Sequence, residues 1–280
     1  MNDTIIRELE FRQGVTGLEE DMVARDMLQT RILSAIFDTA AKREIALKGG
    51  LAMRANYGSQ RFTKDIDLQS SPDVPMPRVK SIVENALKAA NAAGILEDVV
   101  VTAPKQTDTV QRWKVNGKVV GGGSLVNLTI EVSRRGLPPP ELVSTIAYAP
   151  DKEFGQKAVM IDVYSPQAIA LAKMDCILNP NRTAPRDIYD LYLLIKMEVY
   201  PPIEILRLRG KDALVEGLKE VWNKIDIMTW DLARQELLPF ISAGSLEITE
   251  ESWEEMRTRT GLAVEEWLEE ALKQEQVPGS

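Results

Sequence analysis

Two short stretches of this chain alternate apolar and polar residues with a period of two. In TKDIDLQ, Ile66 and Leu68 fall on one side of an extended chain, and Asp65 and Asp67 on the other. In LVNLTIEVS, Val126, Leu128, Ile130 and Val132 share one face, which leaves Asn127, Thr129, Glu131 and Ser133 on the opposite one. Successive side chains of a β-strand point to opposite faces of its sheet, so both stretches read as strands with one buried and one polar face. Asp65 and Asp67 therefore point the same way, and Glu131 also lies on a polar strand face.

Two carboxylates on one strand face stand about 7 Å apart by Cα, and left alone they repel. A divalent cation between or beside them removes the conflict, and hard oxygen ligands of this kind suit magnesium or manganese. Glu131, on a neighbouring strand, completes a candidate set for one or two metals. Such sites serve phosphoryl and nucleotidyl transfer, where the cations neutralise phosphate charge. Shortly before the aspartates come Gly49 and Gly50, at the end of the apolar run IALK. Glycines at a strand-to-helix turn let backbone N–H groups approach a phosphate. A plain structural turn is the commoner use of such a pair. GGLAMRANYG forms neither a dinucleotide-binding glycine fingerprint nor a P-loop.

Composition narrows the chemistry further. The 280 residues include no histidine, which removes the commonest general base, the Ser-His and Cys-His nucleophile pairs and imidazole-dependent zinc sites. The single cysteine, Cys176, permits no internal disulfide and reads as a small core residue. A net charge of −8 gives the chain as a whole no electrostatic footprint for nucleic acid, so any such binding needs a local patch. Arg134-Arg135 with Lys114 and Lys118 is one candidate patch, although a plain charged hairpin is the simpler account. No apolar run is long enough to cross a bilayer, and MNDTIIRELEFRQG lacks the pattern of an export signal, so a cytoplasmic location is expected.

The remaining segments read as follows. Residues 18–44 and 79–93 have the spacing of amphipathic helices, and VMIDVYS reads as a further strand. Asn116-Gly117 is expected to be a two-residue hairpin turn. Ser165 before Pro166 marks a helix start, from which the chain reads as mostly helical. A two-domain α/β (α+β) organisation follows, with a mixed-sheet domain over 1–164 and a helical domain over 165–280 that closes one side of a cleft. In the latter, Lys173 projects from the apolar stripe of QAIALAKMDCIL, so its buried ammonium needs an anion such as Asp187 or a bound phosphate, unless it snorkels to water. Asp190 is expected to stiffen its helix by pairing with Arg186, and Trp253, Leu262 and Trp267 to point inward.

The stretch KGGLAMRANYG…RFTKDIDL resembles the first motif of polymerase β-type nucleotidyltransferases, and its form with Arg61 and Thr63 is similar to the AbiEii/AbiGii-type toxins of abortive-infection and toxin-antitoxin systems. ALAKMDCILNPNRTAPRDIYDLYLL resembles the later motif of that family. The resemblance implies that Asp65 and Asp67 hold magnesium or manganese, that Glu131 is the third carboxylate, as ligand or general base, and that Lys48, Gly49, Gly50, Arg61 and Thr63 surround an NTP. It also implies that Lys173 contacts a phosphate and that Asp187 assists catalysis or positions Lys173. The implied reaction is transfer of NMP to the 3′ end of tRNA, which blocks translation, with a separately encoded antitoxin as protector. A protein or small-molecule acceptor, or a catalytically silent nucleotide- or partner-binding module, are the alternatives.

Overall fold

The computed structural model describes residues 2–149, 157–242 and 247–273. They divide into two compact units, one built on the residues up to Tyr164 and the other on those of 165–241 and 247–273. The first contains helices α1 (Asn2–Thr16), α2 (Glu20–Thr39), α3 (Gly49–Asn56) and α4 (Met76–Asn91). Its strands are β1 (Ile45–Lys48), β2 (Asp65–Ser70), β3 (Leu96–Gln106), β4 (Val110–Val119), β5 (Leu125–Ser133), β6 (Val143–Tyr148) and β7 (Val159–Tyr164).

The strands form one mixed sheet in the order β3-β4-β5-β2-β1-β7-β6. The pairs β2/β5 and β1/β7 are parallel and the others antiparallel. Ile66, Leu68, Ile130 and Val132 are fully buried, as the alternation predicts, while Asp65, Asp67 and Glu131 stay half-buried on the other face. Helix α2 covers the apolar side, packing on β4, β5 and β7 and on α4, with Ile32, Leu33 and Ile36 wholly enclosed.

Helix α1 has no counterpart in the sequence reading. Ile5 and Leu9 are buried, and Glu8, 1% exposed, accepts hydrogen bonds from Arg12 on its own helix (2.8 and 3.0 Å) and from Arg31 of α2 (3.2 Å). The expected turn at Asn116-Gly117 is also corrected. Both residues lie inside β4, opposite Asn127 and Val126 of β5. The chain reverses instead over 120–124, where Gly121 and Gly123 adopt φ of +79° and +83° and Val119 N–H donates to Ser124 O at 2.8 Å. These left-handed conformations strongly favour glycine, so the glycine run outcompetes the local Asn-Gly signal. Gly117 serves strand packing, since a Cβ there would stand 3.0 Å from Glu97 O on β3.

The second unit comprises α5 (Pro166–Leu178), α6 (Pro185–Lys196), α7 (Ile203–Arg207), α8 (Lys211–Asp226), α9 (Trp230–Glu236) and α10 (Glu250–Lys273). Ser165 caps α5 as expected, its hydroxyl accepting from Ala168 N–H at 3.2 Å. Helix α10 packs on α6, α7, α8 and α9 through a face that includes Trp253, Met256, Val264, Trp267 and Leu268. Leu262 does not belong to that face: it is 53% exposed, because the 3.6-residue period carries it to the opposite side from Trp253 and Trp267. Among the described residues no helix is long and apolar enough to cross a membrane.

Gly261 sets how closely α8 and α10 approach, because a Cβ there would lie 2.8 Å from the Trp222 ring. Overpacking of this kind costs about 1–3 kcal/mol. Gly261→Val is therefore expected to lower the unfolding free energy by about that amount, seen as a lower urea midpoint with little change in slope, whereas Leu262→Gln leaves the midpoint near that of the wild type.

Candidate active site

In the first unit the site grows from the β1–α3–β2 segment. Antiparallel register places Lys48, the last residue of β1, opposite Asp67 of β2, and its ammonium donates to Gln69 Oε1 at 2.8 Å. The chain passes straight into α3 at Gly49, with φ of +70°. A Cβ at this position would lie 2.6 Å from Asp67 Oδ2. Glycine is thus demanded twice, by the backbone conformation and by the carboxylate pressed against it. A Cβ on Gly50 would run into the Arg61 guanidinium. Arg61 is 4% exposed, and its Nη1 donates to Phe62 O at 3.1 Å. Lys48, Gly49, Gly50, Arg61 and Asp67 are therefore gathered at one place.

Neighbouring groups fasten this place to α2. Gln29, fully buried, donates through Nε2 to Thr63 O (3.1 Å) and Asp65 O (3.4 Å). Thr63 Oγ1 accepts from Asp65 N–H at 3.4 Å. Arg54 of α3 forks onto the Asp26 carboxylate at 2.7 and 3.1 Å and lies 3.3 Å over the Phe62 ring centroid. A planar guanidinium suits both contacts, and together they set the axis of α3.

Parallel pairing of β2 and β5 aligns Glu131 with Asp67 and Thr129 with Asp65. All three acids thus share the polar face of the sheet. Glu131 is also met from the other side, since Arg112 of β4 is its register partner. Arg112 Nε donates to Glu131 Oε2 at 2.9 Å, and Nη2 reaches the same oxygen. Among the described residues no three acids converge as a ready-made metal cluster. The donor set nevertheless fits a hard divalent cation, because Asp65 and Asp67 offer carboxylate oxygens on one face and Glu131 is one strand away. Arg134, considered above as part of a basic patch, is instead buried, donating to the carbonyls of Asp108, Pro72 and Val74.

The later motif builds a separate cluster in the second unit. Asp187 and Asp190 lie three residues apart on α6, hence on one helix face. Lys173 of α5, 6% exposed, places its ammonium 2.9 Å from Asp187 Oδ1 and 2.5 Å from Asp190 Oδ2. Asp190, expected to stiffen α6 through Arg186, is thus fully buried against Lys173. Arg182, from the loop between the helices, donates to Asp187 Oδ2 at 2.6 Å. Lys224 of α8 holds that loop by donating to Pro180 O (3.3 Å) and Arg182 O (2.9 Å). Cys176 nearby is half-buried rather than a core residue, and burial pushes its thiol pKa upward, which disfavours the thiolate.

Sequence reasoning named the glycines, the acids and Lys173 but missed Arg112, Gln29, Arg182 and the role of Asp190. For Arg112 a signal was present, since QRWKVNGK places Arg112, Lys114, Asn116 and Lys118 at strand period.

Two solved structures from Helicobacter pylori share the fold. JHP933 superposes with a TM-score of 0.56 and 21% identity, covering 92% of this chain and 96% of that one. A candidate nucleotidyltransferase superposes with the same TM-score of 0.56 and 19% identity, covering 93% of this chain and all of that one. No curated protein matches the chain. Residues 31–274 match the family described as nucleotidyl transferase AbiEii toxin, type IV TA system, and the chain belongs to that family.

Burial acts to raise the Asp187 pKa, but the Lys173 charge and the Arg182 hydrogen bond outweigh it and hold it at about 2. A depressed carboxylate contributes stability that is complete above its unfolded pKa, about 3.9, and is lost as pH falls through the folded value. Thermal unfolding followed across pH should therefore show a plateau from about pH 7 to 5 and a fall between about pH 4 and 2. Asp187→Asn should lose about 2 kcal/mol at pH 7 and shorten that acid fall.

Proposed function

We propose that this protein is the toxin of a type IV toxin-antitoxin system and transfers NMP from an NTP to the 3′ end of tRNA in the cytoplasm. A separately encoded antitoxin opposes it. The observation that carries the reading is the close approach of Gly49 to the Asp67 carboxylate, near enough to leave no room for a Cβ, which brings the start of α3 and the acidic strand face together. A triphosphate with its cation suits that combination, since N–H groups at a helix start favour anions while carboxylate oxygens on one strand face suit a hard divalent cation.

In this reading the N–H groups of Gly49 and Gly50 hold the triphosphate, with Lys48, Arg61 and Thr63 around it. Asp65 and Asp67, joined by Glu131, hold magnesium or manganese, which when bound neutralises phosphate charge and lowers the pKa of the attacking hydroxyl. That hydroxyl attacks the α-phosphorus and a new P–O bond forms. The bond from the α-phosphorus to the bridging oxygen breaks, and pyrophosphate leaves. Glu131 accepts the hydroxyl proton. In the helical unit, Asp187 and Asp190 hold the buried Lys173 ammonium in one orientation.

The test incubates wild-type protein and Asp67→Ala with total tRNA, magnesium and each α-labelled NTP, followed by a denaturing gel. The expected result is label on tRNA with one or more nucleotides and none with the variant. Label on a protein band moves the reading to a protein acceptor, and no label anywhere overturns it. Gly49→Ala should also abolish labelling. Gly58→Ala is its control: Gly58 has a similar φ of +72° but no atom within 4 Å of the added Cβ, so it reports backbone strain without displacement of Asp67.

A further inference from the structure

The strand register draws a row of charged side chains across five strands on the polar face of the sheet. Lys48 of β1 is the Cα partner of Asp67 on β2, Asp67 of Glu131 on β5, Glu131 of Arg112 on β4, and Arg112 of Lys105 on β3. The adjacent row runs Asp65, Thr129, Lys114 and Thr102. Strands stand about 4.8 Å apart, so Lys105 lies about 10 Å beyond Glu131.

This row has a direction. The glycine turn lies on the β1 side of Asp67. If the triphosphate rests on that turn, the leaving pyrophosphate is on the β1 side too. Attacking and leaving oxygens are roughly in line at the phosphorus, so the acceptor approaches from the other side, over β5, β4 and β3. The side chains found there are mostly basic. Along β4, Arg112, Lys114 and Lys118 face outward while Trp113 and Val115 are buried. Lys118 is paired with Asp98 and Arg112 with Glu131. Lys114 and Lys105 are exposed and make no ion pair among the described residues, in a chain whose net charge is −8.

We propose that Lys105, Lys114 and Arg112 form a track that binds the phosphate backbone of a polynucleotide acceptor and leads its 3′ end to Glu131. The proposal rests on the transfer reaction above and selects RNA as the acceptor. Separated point charges spread over two strands complement a repeated anion, which a polynucleotide has and an amino-acid side chain or small molecule lacks. Arg112 has a double part, since a cation that takes Glu131 releases the guanidinium to a phosphate.

The test compares wild-type protein with Lys105→Gln/Lys114→Gln, both exposed positions outside the carboxylate site. Binding of fluorescently labelled tRNA is followed by anisotropy over a range of salt concentrations, and magnesium-dependent NTP binding is measured separately by calorimetry. The double variant should bind tRNA about tenfold more weakly at low salt, with the slope of log affinity against log salt reduced by roughly 0.7 to 0.9 per lysine. Its NTP affinity should be that of the wild type. Unchanged tRNA affinity and slope overturn the track, as does wild-type protein that binds NTP but no tRNA. Wild-type protein that binds no NTP with magnesium overturns the nucleotidyltransferase reading instead, and the tRNA titration remains a separate measurement.

Discussion

The approach of the Gly49 backbone to the Asp67 carboxylate is the constraint around which the first unit is arranged. It requires β1 to end opposite Asp67, and it requires the chain to turn into α3 at once through a left-handed conformation. A slip of one residue in the β1/β2 register would carry Asp67 to the apolar face, where Ile66 and Leu68 now lie fully enclosed. The surrounding polar contacts hold against such a slip. Gln29 fixes the start of β2 through two backbone carbonyls, and Arg54 ties α3 to Asp26 of α2. Helix α2 thus supplies both the apolar cover of the sheet and two anchors of the site.

Charge is compensated in two different ways. Glu131 and Arg112 are 31% and 37% exposed, so water screens their attraction and a competing cation can take the carboxylate at modest cost. Lys173, Asp187 and Asp190 are 8%, 1% and 0% exposed in their side chains. Removing one member of such a buried set leaves an uncompensated charge, so the ammonium is held in one orientation. The exchangeable pair lies beside the candidate metal carboxylates, and the fixed set belongs to the helical unit.

Much of this was legible in the sequence, for local reasons. Strands β2 and β5 announce themselves because one face is buried and the other polar, which forces alternation. The start of α5 is legible because Ser165 and Pro166 satisfy the geometry of a first helical turn. Strand β3 lies at the sheet edge with nearly every residue exposed or half-exposed, so no alternation marks it. Helix α1 buries Ile5 and Leu9, and the bond from Arg31 to Glu8 that fastens it to α2 spans 23 residues, which no local pattern contains. The misplaced hairpin turn and the outward Leu262 have local causes: the glycine run supplies the left-handed conformations that a reversal needs, and the 3.6-residue period sets Leu262 opposite Trp253.

The sequence by itself determined which residue types meet the chemistry: two aspartates and a glutamate on strand faces, paired glycines before them, a lysine inside an apolar stripe, and no histidine to compete. Residue type and strand period are local properties, so they survive without coordinates. Only the tertiary structure decided the partners, setting Arg112 on Glu131, Asp190 and Arg182 around the later motif, and Gly49 against Asp67. Partner choice follows from strand register and helix packing between segments far apart in the chain. Those are fixed by burial of the whole core rather than by any one stretch.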